Sequence, residues 1–331
     1  YLLSKKTFLK DVRNLQPGHF IYIEECSITK DIKKINEVKY WSLSKIYNSK
    51  KNLNCLDDNI EKFNFLLKNS LEKRSFSNVE NGIFLSGGLD SSLMTMASRN
   101  LSNLFNYTHN LSFTQNSFDE SQYAKLVSDK FNFFLKTYLI DGKYELADDF
   151  EQIVDSVDQP MSDTAIISNF YLSKFSSKHS KVCLSADGVD ELFCGYETYT
   201  ADILKDKILK FFVKNQRFFY SLINKILPNS IEKVNLKYKI LKFFENLNHD
   251  SAVSHIMWRS IFSEIEKKDL LNAYDPNFFI NLTSEISQLD QKVSKCSLLD
   301  KHMYLDFKTW FQGDILQKID RTSMYHSQET R

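Results

Sequence analysis

Residues 82–92 read GIFLSGGLDSS, an apolar run that ends in two adjacent glycines, a carboxylate and three hydroxyls. Only eight glycines occur in 331 residues, so a pair of them marks a place where a side chain would obstruct the backbone. An apolar strand that runs through a Gly-Gly turn straight into a helix leaves several backbone N–H groups free around a small concavity. Those donors, together with the positive end of the helix, suit an oxyanion such as a phosphate. Ser86, Ser91 and Ser92 can donate further hydrogen bonds. Asp90 is an acidic residue inside this anion nest, which makes chemical sense where a divalent cation lies between it and the phosphate. The loop lacks the lysine of G-x-x-x-x-G-K-[ST], and it is not G-x-G-x-x-G. A plain strand-to-helix turn would not need Asp90 and three hydroxyls together.

KVCLSADGVDELFCGYETY at 181–199 repeats the physical idea. An apolar strand ends at Ser185, turns through Asp187 and Gly188, and enters a helix with Asp190 and Glu191 in its first turn, where carboxylates suit the dipole. If the two strands are parallel neighbours, the loops after Leu85 and Leu184 meet at the carboxyl edge of the sheet, where open α/β sheets bind ligands. Asp90 and Asp190 could then share one metal ion; the alternative for Asp190 is a simple helix-start charge.

The elements that must position these loops follow from the apolar pattern. PGHFIYIEE (17–25) and VKYW (38–41) read as short strands, and residues 42–58 as a polar linker. From Asp57 the spacing of Ile60, Phe63, Leu66, Leu67 and Leu71 predicts a helix. Strands are expected at 81–86, 104–113, 134–140 and 181–185, with helices between them; the helix at 119–133 should bury Tyr123, Leu126, Val127 and Phe131. Strands alternating with helices imply an α/β fold, a mostly parallel sheet with helices on both faces. Residues 197–331 read as almost wholly helical.

Composition narrows the partners. The 43 basic and 42 acidic residues leave a formal charge of +1, which gives no electrostatic reason to expect nucleic acid; the lysine-rich stretch 205–214 carries apolar residues at helical spacing and reads as a solvated helix face. Five scattered cysteines without a C-x-x-C pair argue against a zinc site or disulfide framework and point to a reducing, cytoplasmic compartment. No apolar run of about eighteen residues predicts a membrane span, and no secretory leader is visible at YLLSKKTFLK. Both ends read as interrupted sequence, so a piece of a longer protein is expected.

The S-G-G-x-D-S arrangement resembles the pyrophosphate loop of the N-type ATP pyrophosphatases. SGGLDSS, NSFDESQYAKLVS (116–128), DQPMSDTAIISNFYLSK (158–174), SADGVDELFCGY (185–196) and LDFKTWFQGDILQKIDRTSMYHSQETR (305–331) together resemble, in order and spacing, the synthetase domain of the glutamine-hydrolysing asparagine synthases. The similarity runs from about residue 57 to 331, and FLKDVRNLQPGHFIYI with Tyr40-Trp41 resembles the last strands of that family's glutaminase domain, so 1–45 is expected to be a remnant of it. The resemblance implies a pyrophosphatase-type α/β fold with a largely helical C-terminal part. It also implies a reaction in which ATP activates a carboxylate, typically that of aspartate, as an acyl-adenylate, and glutamine-derived ammonia displaces AMP.

By the same resemblance Leu85 and Phe113 would flank the adenine or ribose, Ser185 and Ala186 would contact the nucleotide, and Ser86, Gly87, Gly88, Asp90, Ser91 and Ser92 would hold the pyrophosphate. Asp90 and Asp190 match magnesium ligands, Asp187 an acidic residue near the reacting centre, and Asp320 and Arg321 border the substrate pocket, although a structural salt bridge is the other reading of Asp320 and Arg321. Asp158 and Asp163 are expected to shape a loop and cap the next helix. ATP, Mg2+, a carboxylate and ammonia are the implied small molecules, and a homodimer is a further expectation.

Three departures stand out: Ala186 and Cys194 occupy positions where the family usually has glycine, and Val189 replaces a small residue. A methyl at Ala186 would crowd a nucleotide if the backbone there needs positive φ, and Cys194 reads as a small buried thiol rather than a reactive one. The family's cysteine nucleophile would precede Tyr1 and a lysine that assists amide formation would follow Arg331, so the 331-residue chain alone is expected to bind ATP and magnesium weakly at most. Relatives of the family amidate sugar acids or close amide rings in natural products, which keeps the acceptor open. A pyrophosphate-loop RNA-modifying enzyme should show a basic face and paired cysteines, neither of which is present, and intact Asp90 and Asp190 argue against a non-catalytic scaffold.

Overall fold

The computed structural model describes residues 6–25, 32–49, 55–101, 105–141, 145–207, 214–228 and 235–331. Its contacts group the chain into two units, one formed by Lys51–Val189 with Asp314–Arg331 and the other by Leu2–Lys50 with Asp190–Gly313.

In the first unit the apolar segments become the strands β3 (Asn81–Phe84), β4 (Phe105–Phe113), β5 (Phe134–Ile140) and β6 (Val182–Leu184), joined by a two-residue β7 (Glu329–Thr330). All pairings are parallel and the order is β5-β4-β3-β6-β7. β3, buried along its whole length, lies between β4 and β6. Ile83, Leu184, Met94, Phe105, Phe133 and Leu71 form the apolar cluster around it. Helices α2 (Leu56–Ser75), α3 (Leu89–Ser98), α4 (Ser121–Phe131), α5 (Glu145–Asp155) and α6 (Ala165–Ser176) intervene between strands as the alternating pattern requires. β7 lies in a stretch that reads as helical; two residues of backbone pairing with β6 leave no periodic signal in the side chains.

The buried faces are set by close approach as much as by apolar spacing. α4 buries Ala124 and Ser128, while Tyr123 and Leu126, expected inside, are 52% and 66% exposed. The reason is local: Thr108 Oγ1 and Ser128 Oγ are 2.5 Å apart and small residues let the helix lie close to the sheet. α2 likewise buries Leu71 and leaves Ile60 and Leu66 exposed. The His109 Nε2 to Ser180 Oγ hydrogen bond (2.9 Å), from β4 to the residues before β6, passes beside Gly82 of β3, where a Cβ would come within 2.7 Å of both atoms.

In the second unit, β1 (His19–Glu25) and β2 (Ile32–Lys39) make an antiparallel pair, longer than the expected strand at 38–41. Tyr40 and Trp41 instead give their N–H groups to Gly18 O, at 2.9 and 3.1 Å, in the turn before β1. The expected linker contains a short helix, α1 (Leu43–Tyr47); its residues 50–54 lie outside the described residues. The remaining helices are α7 (Val189–Phe193), which begins at the boundary, α8 (Glu197–Lys207), α9 (Gln216–Ile226), α10 (Leu236–Glu245), α11 (Ser251–Met257), α12 (Glu264–Leu270), α13 (Pro276–Gln291) and α14 (Leu298–Asp306). A π-helical segment (Phe307–Ile315) then leads into α15 (Leu316–Tyr325) of the first unit. Of the lysine-rich stretch, 208–213 lies outside the described residues, and Lys205 is half-buried, donating to Ser254 Oγ at 2.5 Å. No helix among the described residues is long and apolar enough to cross a membrane.

α11 is buried from Ala252 to Met257, with Ala252, Val253, Ile256 and Met257 in an apolar cluster and His255 facing charge. His255 Nδ1 donates to Asp202 Oδ2 (2.7 Å) and Nε2 to Asp306 Oδ1 (2.9 Å). Asp306 Oδ2 also accepts from Arg259 Nη2 (2.9 Å) and from the Tyr199 hydroxyl (2.6 Å). Burial alone would lower the His255 pKa, but the two aspartates raise it, so an imidazolium and a guanidinium face two carboxylates.

Two measurements test this account. Burial, then the neighbouring His179 and Lys136, push the His109 imidazole down from 6.5 to about 4. The unfolded chain binds that proton more readily, so stability rises with pH across this window and is lost as pH falls from about 6.5 towards 4, by up to about 3 kcal/mol. Urea denaturation at a series of pH values should show this slope, and His109→Asn should flatten it. Cys194 has φ 56°, the left-handed region; Cys194→Gly is expected to raise the unfolding free energy by about 0.5–1 kcal/mol, read in the same assay.

Candidate active site

β3 and β4 carry the chain towards one edge, and β6 then returns on the other side of β3. The carboxyl ends of β3 and β6 therefore flank the point at which the strand order reverses, the position where open α/β sheets bind ligands. Both glycine turns start there.

In the first turn, Leu85 extends β3: its N–H donates to His109 O (2.9 Å), its carbonyl accepts from Asn110 Nδ2 (2.8 Å), and the residue is 1% exposed. Gly87 has φ +95°, and a Cβ there would lie 2.8 Å from Ala124 N and 2.9 Å from Glu120 O. A side chain is thus excluded twice, by conformation and by the helix behind it. Gly88 caps α3 without a side-chain bond, and its N–H donates to Ser86 Oγ at 3.1 Å. Ser86 and Ser91 hydroxyls lie 3.0 Å apart. The first backbone bond of α3 is Ser92 N–H to Gly88 O (3.1 Å), and the N–H groups of Leu89, Asp90 and Ser91 have no acceptor among the described residues. Asp90 is half-buried without a cationic partner among those residues, and burial raises its pKa. An uncompensated carboxylate beside free donors fits a divalent cation held with an oxyanion. Phe113 ends β4 partly buried, its N–H 3.4 Å from Asp119 Oδ1, and Asp119 also accepts from the Ser121 N–H (3.2 Å) at the start of α4.

In the second turn, the Ser185 N–H donates to Arg331 O (2.9 Å) and its hydroxyl donates to Asp187. Gly188 takes φ +99°, whereas Ala186 is not among the positive-φ residues. Its methyl packs against the cluster around Ile83 and Leu184, so the substitution brings no backbone strain. Asp187 is solvent-accessible, yet the protein packed around its carboxyl raises its pKa, opposed by Ser185 and Lys318. Asp190, in the second unit, accepts from the Gly195 N–H through its backbone (3.0 Å); a Cβ on Gly195 would fall 2.0 Å from Asp190 Oδ1. Glu191 is fully buried and accepts from the Tyr196 hydroxyl (2.8 Å). Cys194, expected to be buried, is only partly so, and its thiol is kept protonated by that burial and by nearby aspartates.

Asp320 and Arg321 are both exposed on α15, and Arg321 pairs with exposed Asp158 at 2.9 Å. The buried cation of that helix is Lys318, 4% exposed, paired with Asp314 Oδ2 (2.6 Å) and with Asp163. Asp163 also accepts from the Ala165 N–H (2.9 Å) at the start of α6, the expected capping role. Burial pushes both carboxyls up, and in Asp163 the Lys318 ammonium and the Ala165 N–H overcome it, holding that carboxyl below its usual range. The i,i+4 spacing of Asp314 and Lys318 in GDILQK was a signal available in the sequence; their meeting with Asp163 was not. Beside Asp163 opens a cavity of about 470 Å3 walled mainly by apolar residues, among them Phe150, Ile153, Met161 and Ile167.

One group of three among the described residues has ligand atoms close enough together for a metal: Asp202, His255 and His302. Their separations, 2.7 Å for His255 and 2.6 Å for His302 to Asp202 Oδ2, are hydrogen-bond lengths, and Arg259 and His255 already balance the two aspartates. The cluster is an internal ion network.

Residues 62–331 match the family model described as Asparagine synthase. The chain is 29% identical over 255 residues to asparagine synthetase [glutamine-hydrolyzing] 1 of Bacillus subtilis, covering 77% of this chain and 38% of that protein. It is 26% identical over 336 residues to a putative asparagine synthetase [glutamine-hydrolyzing] of Mycobacterium bovis, covering 100% of this chain and 48% of that protein. A putative asparagine synthetase [glutamine-hydrolyzing] 2 of Methanocaldococcus jannaschii is 33% identical over 188 residues, 54% of this chain and 34% of its own length. The chain thus spans less than half the length of these relatives. With the reversal point, its two glycine turns and a match over 62–331 in agreement, the chain belongs to the asparagine synthase family.

Proposed function

We propose that the protein containing this chain uses ATP to activate a carboxylate, first of all that of aspartate, and passes it to glutamine-derived ammonia to form an amide. The reading rests on one observation: two glycine turns open at the carboxyl ends of the neighbouring strands β3 and β6, and one of them presents three backbone N–H groups without acceptors among the described residues. A carboxylate oxygen attacks the α-phosphorus of ATP, the bond to the β-phosphate breaks and pyrophosphate leaves. Ammonia then attacks the acyl carbon, the bond to AMP breaks and a proton is lost.

Negative charge grows on the leaving pyrophosphate, and donors fixed in place before reaction stabilise it without reorganisation. Leu89, Asp90 and Ser91 N–H groups and the Ser86, Ser91 and Ser92 hydroxyls supply those donors, and Gly87 and Gly88 let the phosphates approach. Ser185, Ala186 and Phe113 border the nucleoside; Leu85, tied into the sheet on both sides, shapes that wall from behind. Asp90 and Asp190 are the carboxylates for Mg2+, which when bound neutralises phosphate charge. Asp187 serves near the reacting carboxylate, with Lys318 fixing the charge around it. Asp320 and Arg321 are positioning residues at the substrate side. Residues 1–45 are read as the tail of a glutaminase domain and 57–331 as the synthetase domain. A reducing cytoplasmic setting fits the free Cys55, Cys183, Cys194 and Cys296, and a homodimer remains part of the proposal.

The cavity beside Asp163 favours a second reading, the same chemistry on a carboxylate with an apolar body. Full-length protein incubated with ATP, Mg2+, glutamine and aspartate should yield AMP, pyrophosphate and asparagine. Asp90→Asn should lower kcat by about a hundredfold or more with the fold intact by circular dichroism. AMP release only with an apolar acid would select the second reading; ADP release, or no AMP with any carboxylate, would overturn both.

A further inference from the structure

Lys39 at the end of β2, Lys292 at the C-cap of α13 and Lys308 in the π-helical segment line one pocket of about 210 Å3 within the second unit. None of the three ammonium groups makes an ion pair among the described residues. Burial lowers the Lys308 pKa, and Lys292 and Lys39 lower it further. Lys39 and Lys292 are exposed at the pocket's rim and Lys308 is half-buried; like charges around one space repel, and an ion of opposite sign relieves that repulsion.

The remaining wall does not supply that charge. His19 and Ser42 also line the pocket, and no carboxylate does. Gln16, 9% exposed, lines it as well, and its side-chain Nε2 has no acceptor among the described residues. A buried amide donor without an acceptor is unfavourable, so its presence here calls for an acceptor in the same space. Cations and donors without an acceptor specify an oxyanion, and several cations specify more than one negative charge. The volume is below the roughly 300–1,000 Å3 of sites for drug-sized ligands. A phosphate or a short dicarboxylate fits where a nucleotide does not.

We propose that this pocket is a binding site for a small multivalent oxyanion, held by Lys39, Lys292 and Lys308 and by the amide of Gln16. The site is separate from the glycine turns and independent of the reaction proposed for them. Bound anion would pin the hairpin β1–β2 to α13 and the segment after α14, because its partners come from all three.

Calorimetric titration of the full-length protein with inorganic phosphate, and separately with succinate, at fixed ionic strength tests the proposal. Saturable binding of one or both is expected, and the preferred anion assigns the source. A nonhydrolysable ATP analogue at saturation should leave this binding unchanged, which separates it from phosphate taken up at the glycine turns. Lys308→Gln should weaken it about tenfold or more. In low salt without added anion the same variant should melt higher than the parent, because repulsion is relieved, and it should lose the anion-induced rise in melting temperature. Absence of saturable binding by either anion, equal binding by Lys308→Gln, or abolition of all binding by the ATP analogue would overturn it.

Discussion

β3 bonds through its backbone to β4 on one side and to β6 on the other, and the rest of the candidate site depends on this placement. A strand between two parallel partners has its register fixed from both directions, so the residues that follow it leave the sheet at a defined height. The turn after β3 and the turn after β6 are about a hundred residues apart in sequence, yet their first residues are neighbours because Ile83 and Leu184 are register partners. Chemistry that needs donors from two turns at once is available only at such a reversal.

That placement needs room, and small residues provide it. Gly82 admits the His109 to Ser180 hydrogen bond beside β3, and Gly87 admits the start of α4 against the first turn. In each case a single Cβ would meet backbone or ring atoms below 3.0 Å. At the far edge, Arg331 performs a related service: its N–H donates to Cys183 O (2.8 Å), its carbonyl accepts from Ser185, and its guanidinium reaches the carbonyls of Arg74 and Phe76, both at 2.9 Å. The second turn is therefore anchored by a residue nearly 150 positions later in the chain.

The glycine turns, their hydroxyls and the alternation of strands and helices were legible because each is a local pattern, carried by consecutive residues or by one helical period. Lys318 was not legible, because what makes it matter is its meeting with Asp163, 155 residues away. Asp320 and Arg321, the more conspicuous charges of the same helix, turned out to be exposed while Lys318, Thr322 and Ser323 are buried. The inward face of α4 was misjudged for a different reason: apolar periodicity assumes that large side chains go inside, and a helix that must approach a glycine turn closely buries alanine and serine instead. Leu85 was legible as the end of a strand, and its bonds to His109 and Asn110 explain why its backbone is fixed rather than free for a ligand.

The two units treat charge in opposite ways. Within the second, every member of the Asp202, His255, Asp306 and Arg259 set faces an opposite charge at hydrogen-bond distance. Desolvating such groups is costly, and only mutual pairing offsets it, so a closed network of this kind belongs to the fold. Within the first, Asp90 and the N–H groups at the start of α3 remain without partners among the described residues, at a half-buried position where leaving them so is unfavourable. Asp90 and the start of α3 are thus where the fold leaves a half-buried carboxylate and backbone donors open among the described residues, in contrast to the paired His255, Asp306 and Arg259. Proximity of aspartate and histidine alone does not make Asp202, His255 and His302 a metal centre: both imidazoles approach Asp202 Oδ2 directly, at 2.7 and 2.6 Å, separations that suit a hydrogen bond rather than two ligands of one ion.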